Sequence, residues 1–280
     1  MSDLVGRVAL VTGAARGQGR AHALALAAAG ADLILCDLAD GADESAPYAL
    51  GSSADLDATA AAVRDVGRRC VAEPVDVTDA AALTALVGRG VDTLGALHVV
   101  VANAGIIGRP GPSWLLEEAD WDRVLAVNLK GVWLTCKAAL PALLQTGNGS
   151  IVVISSIGGL KGQPGMAAYV AAKHGVIGLA RTIANEAGAA GVRVNVVCPG
   201  AVDTPMVTNQ ATLDLFSGTD AGQGTRDTLE AALEGQVLLR PGFVGPSDVS
   251  EAVVWLASDA SRWVTGAVLP VDAGMSAKAA

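Results

Sequence analysis

Short, β-branched apolar runs alternate along the chain with longer Ala- and Leu-rich stretches. The runs at 7–12, 32–36, 71–75, 97–102, 150–154, 193–197 and 267–271 read as seven strands. The helical pattern covers 19–29, 55–68, 80–93, 117–144 with a break expected at Pro141, 167–190 and 246–258. The strands are almost continuously apolar instead of alternating apolar and polar. That pattern belongs to parallel strands covered on both faces. Right-handed strand–helix–strand crossovers then predict one α/β, doubly wound domain over residues 1–280. It has a seven-stranded parallel sheet with helices on both faces. Two stretches break the rhythm. Residues 38–54 read as an inserted loop, and residues 203–245 as a long excursion expected to act as a substrate lid.

Composition narrows the picture. Of 280 residues, 51% are hydrophobic and 17% charged, which excludes a disordered chain. Aromatics make up only 3%, so the core must be built from Ala, Val, Leu and Ile. The net charge is −9 and no Lys/Arg run is present, which argues against nucleic acid as a partner. Cys36, Cys70, Cys136 and Cys198 are too far apart for a paired-cysteine motif, and His22, His98 and His174 show no metal-ligand spacing, so no metal is expected. The first residues lack the basic and apolar regions of a secretory signal. No uncharged run of about 18 apolar residues suggests a membrane span. The expected location is the cytoplasm.

The chemistry sits where strands end. The first strand runs into Gly13, Arg16, Gly17, Gln18 and Gly19 and then a helix. Glycines there allow a tight turn, and the helix start offers N–H groups to a diphosphate. Asp37 closes the second strand, 18 residues beyond Gly19. Its carboxylate can accept from ribose hydroxyls and repels a 2′-phosphate, so NAD is favoured over NADP. Arg16 complicates this, because a guanidinium could hold such a phosphate. Tyr169 and Lys173 stand at i and i+4, on one helix face. An ammonium there should lower the tyrosine pKa and make Tyr169 a usable acid/base. Ser156 ends the fifth strand and could bond the same substrate oxygen.

The chain resembles the short-chain dehydrogenase/reductase family along residues 4–275. The matching marks are the TGAARGQG turn at 12–19, Asp76-Val77, Asn103-Ala104-Gly105, Asn128, Ser155-Ser156, Tyr169-x-x-x-Lys173 and the PGAVDT stretch at 199–204. The resemblance implies a Rossmann fold and a catalytic tetrad of Asn128, Ser156, Tyr169 and Lys173. In it Tyr169 is the acid/base, Ser156 positions the substrate oxygen, Lys173 also holds the nicotinamide ribose, and Asn128 supports a relay water. It further implies that Leu38, Asp76 and Val77 border the adenosine and that Asn103, Ala104 and Gly105 line the cofactor cleft. Pro199, Gly200, Val202 and Thr204 would cover the nicotinamide. The RGQGRAH run at 16–22, the insertion after Asp37 and the YVAAKHG run at 169–175 resemble the mycofactocin-coupled, carveol-dehydrogenase-like branch. That resemblance implies an NAD held tightly under the insertion, recycled by an external redox partner, and a homotetramer. Cys198 departs from the branch, which often has His there.

These readings predict an NAD-dependent oxidoreductase acting between a secondary alcohol and its ketone, with cyclic and terpenoid alcohols as candidate substrates. An NADPH-dependent carbonyl or 3-ketoacyl reductase is the second enzyme reading, and Asp37 opposes it. A non-catalytic NAD-sensing regulator is the third. The intact Tyr169–Lys173 pair opposes it.

Overall fold

A computed structural model describes residues 3–38 and 48–279. Seven strands form one parallel sheet in the order β3-β2-β1-β4-β5-β6-β7. They are β1 (Val8–Thr12), β2 (Asp32–Asp37), β3 (Cys70–Pro74), β4 (Val99–Ala102), β5 (Gly149–Ile154), β6 (Val192–Pro199) and β7 (Val268–Val271). Chain direction across the sheet reverses between β1 and β4. In such sheets the crevice beyond the strand C-termini at that point is where ligands bind. The loops leaving β1 and β4 carry Gly13–Gly19 and Asn103–Gly105, so both open into it.

Strand alternation divides the core in two. Leu10, Ile34, Val100, Ile151 and Val196 face one side, packed by α3 (Ala80–Leu94), α5 (Val132–Thr146) and α6 (Ala167–Ala187). Val11, Leu33, Val101, Val152 and Val197 face the other, packed by α1 (Gly17–Ala28), α2 (Ser53–Asp65) and α10 (Pro246–Ala257). Each fully buried Leu or Ile adds roughly 1.5–3 kcal/mol. The caps follow from local chemistry. Asp79 accepts from the N–H groups of Ala81 and Ala82 (2.9 and 3.0 Å) to start α3, and Gly95, at φ +100°, ends it.

One polar tie joins α1 to α10. The Ser250 hydroxyl donates to Pro246 O (2.8 Å), so the His22 ring must donate to Ser250 through Nδ1 (2.8 Å). His22 is wholly buried, and burial pushes its pKa down to about 3. Its ring is therefore neutral in the native chain.

The helix expected over 117–144 differs from that reading in two ways. It is α4 (Glu118–Leu125), a wider π-helical turn at Ala126–Gly131, and then α5. Pro141 does not break α5. It and Lys137, whose carbonyl it leaves without its helical partner, are both exposed, so water can satisfy that carbonyl. Residues 203–245 carry three short helices, α7 (Pro205–Thr208), α8 (Gln210–Ser217) and α9 (Arg226–Glu234). They share a small third core in which Leu229, Leu233, Val237 and Met275 pack on Ile157. Among the described residues, no helix is long and apolar enough to cross a membrane, and no group of His, Cys, Asp or Glu is placed to hold a metal.

Candidate functional site

A cleft open to solvent lies over the C-terminal ends of β1, β4 and β5. Its floor is the turn after β1. Gly13 sits at φ +67°, and an added Cβ would come within 2.9 Å of the Ala104 Cα. A Cβ on Gly19 would fall on the Gly13 carbonyl oxygen. Thr12 Oγ1 accepts from the N–H groups of Asn103 and Ala104 (both 3.1 Å), while Asn103 Nδ2 donates to Thr12 O (2.9 Å) and Gly13 O (3.2 Å). The turns after β1 and β4 are thus stapled together. Arg16 occupies the N-cap of α1 without a side-chain cap bond, so the first N–H groups of that helix remain for an anion. The buried Gln18 Oε1, also at the cleft, has no hydrogen-bond partner. A glycine cradle, a helix start without a side-chain cap and an acceptor without a partner fit a dinucleotide diphosphate with its ribose hydroxyls.

Asp37 borders one end of the cleft. Its Oδ2 accepts from Ala15 N–H and its Oδ1 from Leu38 N–H, both at 2.8 Å. Burial pushes its carboxyl upward, and those two N–H groups and the Arg16 guanidinium pull back. Each oxygen has a second lone pair that can accept from a hydroxyl donor. Leu38, Tyr48, Leu50 and Gly51 line the same end, so both flanks of the insertion reach the cleft. Residues 39–47 of the insertion lie outside the described residues. Arg16 donates to Ala49 O and stacks over the Tyr48 ring, 5.7 Å from its centroid. Its guanidinium is engaged by the insertion. Asp76 accepts from Thr78 N–H (2.8 Å) and faces Arg123 at 3.8 Å. Val77 packs beneath, beside Gly131.

The reactive end is built on β5 and α6. Tyr169 and Lys173 both line the cleft, with Lys173 Nζ 5.6 Å from the Tyr169 ring centroid. Lys173 Nζ donates to Ile154 O (2.9 Å), and Ser155 Oγ donates to Lys173 O (2.8 Å). These bonds lock α6 to the end of β5. Ser156 bonds the Tyr169 side chain and accepts from Gly158 N–H (3.1 Å). Burial lowers the Lys173 pKa to about 8. Burial also raises that of Tyr169, and the Ser156 bond only partly offsets this. The expectation that Lys173 lowers the tyrosine pKa is not met. Desolvation outweighs an ammonium that is itself buried and turned toward Ile154 O.

Asn128 sits in the π-helical turn, fully buried. Its Oδ1 accepts from Ile106 N–H (2.8 Å) and its Nδ2 donates to Ile106 O (2.7 Å). A Cβ on Gly105 would meet Asn128 Oδ1 at 3.2 Å and Lys173 Nζ at 3.5 Å, so these three groups converge. The widened turn is what brings Asn128 to them, a common use of π-helical turns.

Gly13, Arg16, Gly17, Gln18, Gly19, Asp37, Leu38, Asp76, Val77, Asn103, Ala104, Gly105, Tyr169, Lys173 and Thr204 all line this one cleft. Asn128 and Ser156 stand behind the lining. Pro199, Gly200 and Val202 do not line it, contrary to expectation. Pro199 pairs with Val271, a Cβ on Gly200 would lie 2.9 Å from Asp272 Cα, and Val202 bridges Val244. They brace Thr204, which does reach the cleft. The sequence did not single out Val75, Ile106, Arg123, Val127 and Ile154 as lining residues, whereas Pro205 and Met206 belong to the 203–245 stretch expected beside the substrate. Arg123 carries no local motif.

Comparison with known proteins agrees with this geometry. Residues 13–276 match the family model described as enoyl-(acyl carrier protein) reductase. The (−)-trans-carveol dehydrogenase of Rhodococcus erythropolis is 44% identical over 279 residues, 99% of this chain and 100% of that protein. The crystal structure of carveol dehydrogenase from Mycobacterium avium in complex with NAD superposes with a TM-score of 0.96 at 44% identity, covering 99% of this chain and 100% of that one. That of a short chain dehydrogenase from Mycobacterium paratuberculosis bound to NAD gives 0.87 at 40% identity, with the same coverage.

Proposed function

The chain belongs to the short-chain dehydrogenase/reductase family, and from that premise we propose that it is an NAD-dependent oxidoreductase interconverting a secondary alcohol and its ketone. Cyclic and terpenoid alcohols are the substrates we favour, because two relatives at 44% identity are carveol dehydrogenases. One observation carries the reading. A dinucleotide cradle and the Tyr169–Lys173 pair open into the same cleft, with Ser156 just behind the lining.

NAD, when bound, supplies the hydride acceptor. Gly13, Gly17 and Gly19 with the start of α1 hold its diphosphate, Asp37 its adenosine ribose, and Lys173 its nicotinamide ribose. In alcohol oxidation Tyr169 takes the hydroxyl proton, and Ser156 holds the oxygen that loses it. Asn128 fixes the 103–106 loop against Lys173 and supports the relay that carries the proton away. In ketone reduction the same groups return the proton. Residues 203–245 serve as the substrate lid, and Leu38, Tyr48, Leu50 and Gly51, at the two flanks of the insertion, border the adenosine. We place the chain in a homotetramer and give it an external, mycofactocin-type redox partner that reoxidises a retained cofactor.

The test is coenzyme choice. Charge-assisted hydrogen bonds to Asp37 are each worth about 1.5–3 kcal/mol. Calorimetry should therefore show NAD binding tenfold to a thousandfold tighter than NADP, at about 1.4 kcal/mol per factor of ten. Equal affinities would sink the Asp37 assignment and restore the NADPH-dependent carbonyl reductase. If co-purified NAD exchanges freely with labelled NAD, the external redox partner is unnecessary.

A further inference from the structure

Within the excursion at 203–245, α9 is tied to the strip bearing Thr204 by a contact that the reaction itself does not require. Arg226 is the first residue of α9, where the helix dipole disfavours a cation. Its partners explain its presence. Nη1 and Nη2 grip both carboxylate oxygens of Asp203 (2.9 and 2.7 Å), Nε donates to Glu230 (2.9 Å), and the guanidinium lies 4.9 Å from the Phe243 ring centroid. Asp203 is in turn laced to the strip after Phe243. Its N–H donates to Val244 O (3.1 Å), and Val244 N–H donates to Ala201 O (2.9 Å).

The next residue, Thr204, lines the cleft, and its Cγ2 lies so near Gly17 that a Cβ there would meet it at 3.4 Å. A continuous path therefore runs from α9 through Arg226, Asp203 and Thr204 to the diphosphate turn. The far end of α9 is tied differently. Lys278 Nζ donates to Gly235 O (2.6 Å), and Leu238 and Leu239 N–H both donate to Ala273 O (2.9 Å). The Arg226 end is held to α8, where Gly224 N–H donates to Asp214 Oδ1 (2.7 Å) and Gln210 Nε2 donates to Gly224 O (2.9 Å), and it meets the strip bearing Thr204 through Arg226 and Asp203.

We propose that Arg226 is a positioning residue, and that its two-pronged hold on Asp203 latches α9 to the strip bearing Thr204 and sets how readily the cofactor cleft opens. The proposal rests on the NAD-dependent reading above for its ligand, though not for the latch. Both partners are half-exposed, so the latch is weak enough to open on each cycle and is screened by salt. A bidentate pair also demands the planar fork, which lysine lacks.

The experiment compares wild type, Arg226→Gln, Asp203→Asn and the double variant. NADH dissociation is followed by stopped-flow displacement, and amide hydrogen exchange over 226–234 is measured without cofactor. Each single variant should release NADH about fivefold faster, and the double no faster than either single, because both remove one contact. Exchange over 226–234 should rise in all three. High salt should speed release from wild type alone, and Arg226→Lys should recover only part of the slow release. The substrate KM should rise while kcat stays level or rises. Unchanged NADH release together with unchanged exchange would overturn the latch, as would additive effects in the double variant. A wild type that fails to bind NADH would count against the dehydrogenase reading, while the exchange comparison still decides the latch.

Discussion

On the function proposed above, Tyr169 and Lys173 would act as a pair that shares protons, and their burial would set the working pH. The fully protonated pair is a phenol beside an ammonium. Burial brings Lys173 to about 8 and lifts Tyr169 above its usual value, so the pair loses its first proton near pH 8. The singly deprotonated pair has two forms, phenol with amine or phenolate with ammonium, and the second can accept the substrate proton. Alcohol oxidation should therefore rise as pH climbs through about 8 and then level off. Ketone reduction needs the fully protonated pair and should fall through the same range. Initial rates in both directions from pH 6 to 10 check this. An oxidation rate that is flat across pH 8 would contradict it. Both residues were legible in the sequence, since their spacing fixes a shared helix face. The sign of the tyrosine shift was not, because it depends on how deeply α6 packs against β5.

At the scale of the elements, the strands were readable because parallel, doubly covered strands must be apolar throughout. The π-helical turn at Ala126–Gly131 was invisible, because one extra residue in a turn hardly disturbs the apolar spacing on either side. The bond from Arg16 to Ala49 and the fork from Arg226 to Asp203 were equally hidden. They join residues 33 and 23 positions apart, and no local pattern encodes such a meeting. The α1–α10 tie belongs to the same class, and it has a measurable consequence. His22 in the native chain stays neutral down to about pH 3, whereas in the unfolded chain it takes a proton near 6.5. A group with a depressed native pKa contributes its stability above the unfolded value and loses it as pH falls. From pH 7 to pH 5 this group alone should lower the unfolding free energy by about 2 kcal/mol. His22→Gln can keep a donor for Ser250 without titrating. Urea unfolding at both pH values should show a drop that is smaller in the variant by that amount, and equal drops would refute the assignment.

At the scale of the whole molecule, the described residues form an apolar groove away from the cleft, lined by Leu125, Ala126, Leu129, Trp133 and Leu179 on α4, the π-helical turn, α5 and α6, with Asp122 and Lys130 beside them. Trp133 is 42% exposed there. In the homotetramer we propose, this groove is buried between copies. Sedimentation at micromolar concentration should then show an assembly of several 27.9 kDa chains, and Trp133→Glu should reduce it. A strictly monomeric wild type would exclude the assembly. The central claim is that one cleft holds NAD and the proton-transfer group together. Wild type and Tyr169→Phe, each loaded with one equivalent of NAD, should be mixed with a panel of cyclic secondary alcohols, and the absorbance of reduced nicotinamide followed through a single turnover. The wild type should form up to one equivalent on a good substrate. The variant should bind NAD equally but react roughly a hundredfold slower or worse. No reduced nicotinamide from the wild type with any alcohol, or equal rates in the two proteins, would contradict the claim.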